Sequence, residues 1–521
     1  MRVTRYPAGM TQLSPAQREA LGALLRAAPF AKVVRDLGAR FAQRGHELYL
    51  VGGTVRDALL DRASPDVDLT TDASPDQILA VVRARGWDDG VWLQGVRYGT
   101  VGVRKGDFRL EITTFRSDRY REDSRKPEVT FGRSVEEDLA RRDFTVNAMA
   151  MRLPDGPFVD PHGGLADLAA RRLRTPSSPA VSFEDDPLRM LRAARFAAQL
   201  ELVPTQDTVA AIAEHRGRLQ IVSRERIRDE LVKLLLSRAP AKGLWLVVNT
   251  GLAAEFLPEL PALALEQDPV HRHKDVLRHT IAVVERTTAF DADDPDLTLR
   301  MAALLHDIGK PRTRRVGPEG VSFHLHEVVG AKMAERRLTE LRFPTDFVAN
   351  VRQLVLLHLR FHTYRLGWSD SAVRRYVRDA GPLLDRLNFL VRSDCTTRNV
   401  FKAKQLTAYS DELEERIARL EAEEELASIR PPLDGRQVMA LLGIPPGPLV
   451  GRALAHLLEL RLDRGPMTED EAVQALREWA RSEGSGEPQG GAPVDRSEGS
   501  GEPQGGAPVD RSEGLDLPDD G

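Results

Sequence analysis

The chain is poor in cysteine and aromatic residues and has no long apolar run. It contains one cysteine, Cys395, so an intramolecular disulfide is excluded. No run of eighteen apolar residues occurs, and the first residues lack the apolar core of a secretory signal. We therefore expect a cytoplasmic protein with no membrane association, and the sequence indicates no obligate protein partner.

Charge is unevenly distributed over the 521 residues. Residues 481–521 hold 3 Arg against 10 Asp and Glu, so the formal charge of -4 leaves +3 for the remainder. This acidic segment repeats the fifteen residues RSEGSGEPQGGAPVD and has almost no apolar side chains, which predicts a disordered tail. Residues 171–240 hold 13 Lys and Arg against 9 Asp and Glu, a balance compatible with bound phosphates or with a solvated helix face.

Hydrophobic periodicity predicts an α+β unit followed by helices. Alternating patterns predict strands over Glu47–Val51, Val67–Thr71, Thr100–Arg104 and Phe108–Thr114, and Ser74 is a candidate N-cap for a helix over Pro75–Arg85. Beyond Pro176 the pattern is helical almost throughout. A first domain with a mixed sheet and a largely all-α remainder are therefore expected.

A glycine turn and three carboxylates predict phosphoryl chemistry near the N-terminus. The segment LVGGTVRD, ending at Asp57, reads as a strand, a glycine turn that includes Gly53, and the start of a helix containing Arg56. Asp66 and Asp68 alternate along the next strand and so share one face, and Glu111 lies on the polar face of another strand. Three carboxylates around divalent cations suit nucleotidyl transfer, although an isolated Asp-x-Asp usually ends a strand.

A second group of motifs combines arginine with aspartate. Arg142-Asp143 follows a capping box that begins at Ser134. Asp186 and Pro187 predict the start of a helix on which Arg189, Arg192 and Arg195 share one broad face. A rigid aspartate and arginine can imitate the hydrogen-bonding edge of a base, whereas a salt-bridged surface helix is the ordinary alternative.

Together these motifs resemble the bacterial class II tRNA nucleotidyltransferases, a family that also contains bacterial poly(A) polymerases. Five ordered motifs carry the resemblance: LVGGTVRD, DVDL, RRDFTVNAM, DPLRMLRAARF and SRERIRDELVK. The resemblance implies a polymerase-beta-like head followed by an all-α neck and body. It also implies template-independent addition of CCA to the tRNA 3′ end from CTP and ATP with Mg²⁺, poly(A) or A-only addition being the alternative.

The resemblance implies a role for each matched residue. Asp66 and Asp68 would bind magnesium, with Glu111 as the third catalytic carboxylate. Gly53 and Arg56 would bind the triphosphate, with support from Arg192 and Arg195. Arg142 and Asp143 would bind the sugar-phosphate region, and Asp186 and Arg189 would bind the base. The family usually has Glu before this Asp, so either Asp185 or Glu184 takes that position here. Residues 115–131 resemble the flexible loop of members that add adenosine.

A separate set of histidines and aspartates resembles an HD domain. His279, His306-Asp307 and Asp394 occur in that family's order, and His324, His326 and His358 are further candidate ligands. Imidazole and carboxylate suit divalent transition metals, which activate water for phosphoester hydrolysis. The domain would be a phosphatase or phosphodiesterase, or else purely structural.

These observations predict the following domains: an N-terminal helical extension (1–30), a nucleotidyltransferase head (31–175), a helical neck and body (176–260), an all-α HD domain (261–400), a C-terminal helical region (401–480) and the acidic tail (481–521). Two other classes of function stay open. The chain could be an HD phosphohydrolase whose head only binds RNA, or a nonenzymatic tRNA-binding scaffold.

Overall fold

The computed structural model describes residues 23–484 except 24, 26, 63–64, 88–89, 120–127, 133, 266–274, 291–292, 319, 362–363, 365–366, 396–399 and 425–428. The predicted tail from residue 485 onward, most of the N-terminal extension and residues 120–127 of the predicted loop lie outside this range. The chain divides into two compact units between residues 428 and 429. Among the described residues, no helix is both long and apolar enough to cross a membrane.

The head is built on a mixed sheet with seven described strands, β1 (Leu48–Val51), β2 (Asp66–Thr71), β3 (Val91–Trp92), β4 (Thr100–Lys105), β5 (Phe108–Thr114), β8 (Ala150–Leu153) and β9 (Phe158–Val159). Their order in the sheet is β3-β4-β5-β2-β1-β8-β9. A separate antiparallel ribbon, β6 (Arg116–Arg119) with β7 (Glu128–Phe131), flanks the undescribed part of the loop. The four strands predicted from sequence are confirmed to within one residue at each end.

Helices pack against this sheet. The helices of the head are Ala31–Gln43, Gly52–Leu59, Pro75–Arg83, Val135–Ala140 and Gly164–Ala169. Ser74 caps the third of these through a capping box with Gln77, as predicted, although the helix ends two residues early. Side chains of the first and third helices, including Leu37, Phe41 and Ile78, are fully buried against sheet residues such as Leu50 and Leu110.

The rest of the first unit is helical, which agrees with the predicted α+β class. Its helices are Pro179–Asp185, Leu188–Gln199, Gln206–His215, Arg224–Leu235, Pro240–Asn249, Val276–Arg286, Leu297–Leu305, Lys310–Thr313, His326–Glu340, Thr345–Leu357, Asp370–Ala380, Leu384–Asp394 and Val400–Glu424. Two short sheets accompany them, Arg172–Leu173 with Val203–Pro204 and Arg314–Gly317 with Gly320–Phe323.

The second unit contains the helices Gly435–Leu442, Pro448–Arg464 and Glu469–Gly484. They bury a small apolar cluster of their own that includes Leu433, Val438, Leu457 and Leu476. Asp434 caps the first helix by accepting hydrogen bonds from the N–H groups of Arg436 and Gln437. The unit therefore has the caps and core of an independent helical bundle.

Candidate functional sites

The glycine turn of the head lies where strand β1 passes directly into the helix Gly52–Leu59. Gly52 has φ +69°, and a Cβ atom there would lie 2.7 Å from Arg142 Nη1 and 3.4 Å from Asp68 Oδ2. The left-handed backbone favours glycine at this position, and a side chain there would displace the end of Arg142. The sequence predicts a phosphate-approaching turn at the Gly-Gly pair and assigns triphosphate binding to Gly53, and the structure adds the positive φ of Gly52.

Thr54 joins the glycine turn to the strand that carries the carboxylates. Its Oγ1 accepts a hydrogen bond of 2.8 Å from the Asp68 N–H and donates one of 3.4 Å to the Asp66 carbonyl. Strand β2 pairs in parallel with β5, which places Asp68 directly opposite Glu111. The three predicted carboxylates are therefore gathered at adjacent positions on two paired strands.

The electrostatics of these carboxylates suit a divalent cation. Burial, together with the nearby Asp66, raises the pKa of Asp68 against the opposing effects of Arg142 and Arg56. Loss of hydration and the neighbouring Asp68 and Asp66 carboxylates raise the pKa of Glu111. A bound cation relieves this mutual repulsion, because carboxylate oxygens are the preferred ligands of Mg²⁺. The donor set therefore fits the predicted metal.

A polar cavity of about 500 Å³ opens beside Asp68. Its lining residues are Gly52, Gly53, Arg56, Asp68, Arg116, Arg141, Arg142, Asp143, Asn147, Asp186, Arg189, Arg192, Arg195, Phe196 and Arg226. All eight residues predicted to bind nucleotide are in this group, whereas neither Glu184 nor Asp185 is. The concentration of arginines matches an anionic ligand.

A buried hydrogen-bonded chain connects three parts of this cavity. Arg56 donates to the Asn147 side-chain oxygen, and Asn147 in turn donates to Asp143 Oδ1 at 2.9 Å. Asp143 Oδ2 forms an ion pair of 2.6 Å with Arg192. Although burial opposes its charged form, Arg192 and Asn147 lower the pKa of Asp143. Asp143 thus holds two arginines in place, and Asn147 was not predicted from the sequence.

Asp138 supports the neighbouring arginines from the helix Val135–Ala140. Its side chain is fully buried and pairs with Arg141 at 2.6 Å and with Arg142 at 3.0 Å. Burial opposes ionisation, but the two guanidinium groups outweigh it and lower the pKa of Asp138. Ser134 caps this helix as predicted, accepting a hydrogen bond from the Glu137 N–H.

The predicted base-reading pair lies at the start of the helix Leu188–Gln199. The helix begins one residue later than predicted because Asp186, which precedes a proline, is extended with φ -137°. Its side chain still caps the helix, since Oδ1 accepts the Leu188 N–H at 3.1 Å. Arg189 donates to Ser182 Oγ at 2.9 Å and to the Arg141 carbonyl at 2.5 Å.

Arg195 packs at the far side of the cavity. It forms a 2.6 Å ion pair with the buried Glu230, and its guanidinium lies 3.9 Å from the centre of the Phe196 ring. Arg192, by contrast, approaches the same ring at 5.9 Å while pairing with Asp143. The three arginines of this helix therefore have different partners although they share one broad face.

The helical domain brings the predicted HD residues into two adjacent groups of metal-ligand atoms. One group is His279, His306 and Asp394, the other Asp307, His326 and His358, and within each group the ligand atoms lie within 4.8 Å of one another. Asp307 connects the groups, with Oδ2 3.2 Å from His306 Nε2 and Oδ1 3.5 Å from His326 Nε2. His324 is exposed and belongs to neither group.

Three of these imidazoles are oriented alike. Nδ1 of His306, His326 and His358 faces the backbone carbonyl three residues earlier at 2.7 to 2.8 Å, and a carbonyl can only accept. Each ring must therefore carry a proton on Nδ1, which leaves Nε2 as the nitrogen that can bind a metal. Such orientation by carbonyls is typical of metal-binding histidines, so the donor set fits a metal.

Burial and neighbouring charges shift the pKa values of two histidines of this second site in opposite directions. Burial and the adjacent His306 lower the pKa of His358 to about 3, so its imidazole is neutral at neutral pH. Burial acts against the charged form of His306, but Asp307 outweighs it and raises the pKa of His306. Lys310 pairs with Asp307 Oδ2 at 2.7 Å from the edge of the site.

Models of three known protein families match separate parts of the chain. Residues 48–174 match the poly A polymerase head domain, and residues 203–263 match the probable RNA and SrmB-binding site of polymerase A. Residues 276–399 match the HD domain. The first match contains all three head carboxylates, and the third contains every predicted metal ligand of the second site.

Two similar proteins align over nearly their whole length. The chain is 36% identical to the A-adding tRNA nucleotidyltransferase of Deinococcus radiodurans over 83% of this chain and 95% of that protein. It is 34% identical to the CC-adding tRNA nucleotidyltransferase of Thermus thermophilus over 83% and 94%. A CCA-adding enzyme of Levilactobacillus brevis is 39% identical over 51% of this chain and 66% of that protein.

Solved structures share the fold. The Bacillus stearothermophilus CCA-adding enzyme in complex with CTP has a TM-score of 0.62 at 26% identity, over 91% of this chain and 99% of that one. The Thermotoga maritima CCA-adding enzyme complexed with tRNA has a TM-score of 0.56 at 19% identity, over 88% and 98%, and supports the fold alone. From its identity to two full-length relatives and its matched domains, the chain belongs to the tRNA nucleotidyltransferase and poly(A) polymerase family and carries an HD domain.

Proposed function

We propose that this protein adds CCA to the 3′ end of tRNA from CTP and ATP without a nucleic-acid template. The observation that carries the proposal is the carboxylate group Asp66, Asp68 and Glu111 beside an arginine-lined cavity that also contains Asp186 and Arg189. The relatives named for adding C, A or CCA to tRNA support it.

In the proposed reaction the tRNA 3′ hydroxyl attacks the α-phosphorus of the nucleotide, and pyrophosphate leaves. Mg²⁺ held by Asp66 and Asp68 would activate the hydroxyl and neutralise the triphosphate. Arg56, Arg142 and Arg192 bind the phosphates electrostatically, and the Asp143 network keeps Arg56 and Arg192 at fixed positions. The protein's contribution is thus positioning and charge stabilisation.

Asp186 and Arg189 account for the choice of base. Cytosine and adenine share an exocyclic amino group that can donate a hydrogen bond to a carboxylate, whereas uracil and guanine have a carbonyl at the corresponding position. Arg189 supplies N–H donors for the neighbouring ring nitrogen. Because other groups of the protein hold both side chains in place, Asp186 and Arg189 would take the role that a pairing base has in a nucleic-acid template.

The test uses tRNA transcripts that lack the whole CCA, the final CA or the final A. Each transcript is incubated with single nucleotides and then sequenced at the 3′ end. We expect CTP to extend the first two transcripts and ATP the third. D66A/D68A should abolish all additions, and the exposed Asp76→Ala serves as control. Failure of the wild-type protein to incorporate CTP contradicts the CCA proposal.

The same assay decides a second candidate, A-only addition. This candidate is favoured by the 36% identity to an A-adding relative that aligns over 95% of its length. A-only addition predicts that ATP extends only the transcript ending in CC, while CC-only addition predicts no ATP incorporation. Repeated ATP incorporation on any RNA would indicate a poly(A) polymerase.

For the second site we propose metal-dependent phosphoester hydrolysis, with a divalent transition metal held by His279, His306, Asp307 and Asp394 and by His326 and His358. Two observations support this proposal: backbone carbonyls facing Nδ1 orient the imidazole rings, and Asp307 connects the two groups of ligand atoms. Metal-supplemented wild type should hydrolyse 2′,3′-cyclic nucleotides, and His306→Ala should not. Equal rates for the two proteins would contradict the proposal.

A further inference from the structure

We propose that a groove between the helices Pro240–Asn249 and Val276–Arg286 binds a nucleotide of an RNA whose 3′ end enters the second site. The inference rests on the hydrolysis proposed for that site and names its substrate class as the end of an RNA chain. The groove has a volume of about 650 Å³, which is within the usual size of small-ligand sites. Its described lining shares no residue with that of the head cavity.

Two helix faces form this groove. Ala241, Trp245 and Asn249 recur at every fourth residue of the first helix and so share one face. On the second helix, Arg278 and Glu285 lie about two turns apart and line the opposite wall. The Ala241 N–H donates to Glu285 Oε2 at 3.0 Å, which connects the two helices. The groove is therefore built from side chains of two separately matched domains, since the first helix lies in the RNA-binding match and the second in the HD match.

The lining of the groove fits a single-stranded nucleotide. Trp245 is half-buried, and its indole ring can stack on a base of any identity. The Arg278 side chain is 77% exposed, and its 3.8 Å contact with Asp275 is weak enough to be exchanged for a phosphate. Glu285 already accepts a backbone N–H, whereas Arg278 and Arg286 add two positive charges. An aromatic ring beside guanidinium groups is typical of sites for single-stranded RNA.

The groove adjoins the second site through Arg286. This residue follows His279 by seven positions on one helix, which places both within about 20° on the same face. Arg286 Nη1 also donates to the Ser393 carbonyl at 3.1 Å, directly before Asp394. The side chains of His279 and Asp394 are 9% and 11% exposed, whereas that of His306 is fully buried. A nucleotide in the groove therefore lies beside the more open ligands of the first group.

This placement distinguishes two kinds of substrate. A free cyclic nucleotide at the metal ligands does not extend to Trp245, whereas an RNA chain gains stacking from the nucleotide that precedes its end. The gain is in binding and is made before and during the reaction alike. Trp245 should therefore affect KM for an RNA end and leave kcat unchanged.

The first test locates the RNA without turnover. The metal-stripped protein is mixed with an oligoribonucleotide that ends in a 2′,3′-cyclic phosphate and carries 5-iodouridine as its penultimate nucleotide. After irradiation and digestion, mass spectrometry identifies the cross-linked peptide. We expect the adduct on the peptide that contains Trp245, because a stacked ring lies in contact with the base. Adducts confined to other peptides contradict the inference.

The second test compares hydrolysis of the unmodified oligoribonucleotide with that of a 2′,3′-cyclic mononucleotide. The proteins are metal-supplemented wild type, Trp245→Ala and, as control, Arg336→Gln. Arg336 is 59% exposed and lies on the helix His326–Glu340, outside the described lining of the groove. We expect W245A to raise KM for the oligoribonucleotide about tenfold and to leave KM for the mononucleotide unchanged. R336Q should behave like wild type.

The outcomes separate the groove from the hydrolysis. If wild type hydrolyses both substrates and W245A has the same two KM values, the role of the groove is overturned while the proposed hydrolysis stands. If wild type hydrolyses neither substrate, the proposed hydrolysis fails and the cross-link decides the groove. Should W245A not fold, Arg278→Gln decides: we expect about a threefold higher KM for the oligoribonucleotide at low salt, and an unchanged KM contradicts the inference.

Discussion

At the scale of single residues, the backbone conformation of Gly52 affects the position of a side chain in the site. Its positive φ is unfavourable for any residue with a side chain, and a Cβ atom there would lie 2.7 Å from the end of the Arg142 side chain. We predict that Gly52→Ala lowers kcat by about a hundredfold, because the Arg142 guanidinium must shift by a few tenths of an ångström or more. Nucleotide addition under saturating substrate measures this.

Gly45 provides the control for backbone strain alone. It also has a positive φ, +81°, but a Cβ there meets nothing within 4 Å. Gly45→Ala should therefore cost about 1 kcal/mol of stability and leave kcat unchanged. Equal losses of kcat in the two variants would show that strain, and not the approach of Arg142, determines the effect.

Asp138 gives a prediction about stability and pH. Its folded-state pKa is lowered, so its stabilising effect is complete above the ordinary pKa near 3.8 and is lost as pH falls through the lower folded value. We predict that Asp138→Asn lowers the free energy of unfolding by roughly 3 kcal/mol, since two arginines lose a buried partner. Urea unfolding at neutral pH measures the difference.

The pH dependence separates this explanation from a packing defect. The difference between wild type and D138N should be equal at pH 7 and pH 5 and should shrink only below about pH 4. Asp155→Asn, which removes an ion pair with Arg35 between side chains that are half exposed, should change stability by less than about 1 kcal/mol. A difference that already declines between pH 7 and pH 5 argues against the Asp138 pairing.

At the scale of helices and strands, the sequence predicted which residues gather at each site but missed several of the side chains that hold them in place. The alternation around Asp68 and Glu111 identified their strands and faces correctly. The hydrogen-bond partners Asn147, Glu230 and Arg226 were not found, and they lie 91, 35 and 40 residues from Arg56, Arg195 and Asp186. Only the packing of separate helices brings them together.

The start of one helix also decides which histidine enters the second site. Leu325 has φ +58°, and the helix His326–Glu340 begins directly after it, so His326 is buried while His324 is exposed. Sequence alone offered both as ligands. We predict that His358→Ala weakens Mn²⁺ binding at least about tenfold, whereas His324→Ala does not.

Calorimetric titration of the purified, metal-stripped protein measures this difference. The rise in melting temperature on adding Mn²⁺ gives a second readout, because a ligand that binds only the folded state stabilises it. Wild type and H324A should show the same rise and H358A a smaller one. Equal weakening in H324A and H358A would contradict the arrangement of the two ligand groups.

At the scale of the whole molecule, net charge governs the encounter with tRNA. Residues 485–521 contain 9 Asp and Glu and 2 Arg, a charge of -7, so their removal changes the formal charge from -4 to +3. We predict that a protein ending at Gly484 binds tRNA more tightly at low salt, with the gain shrinking as salt rises, because screening reduces the repulsion between acidic residues and phosphate.

A full-length variant with seven of the nine acidic residues of this segment replaced by Gln and Asn has the same formal charge of +3 as the truncated protein and so separates charge from length. If charge is the cause, this variant should bind like the truncated protein, and both should approach wild-type affinity near 0.5 M salt, where the Debye length is about 4 Å. Filter-binding across a salt series provides the slopes. If only the truncated protein binds more tightly, the cause is steric obstruction, because only the truncation removes residues 485–521.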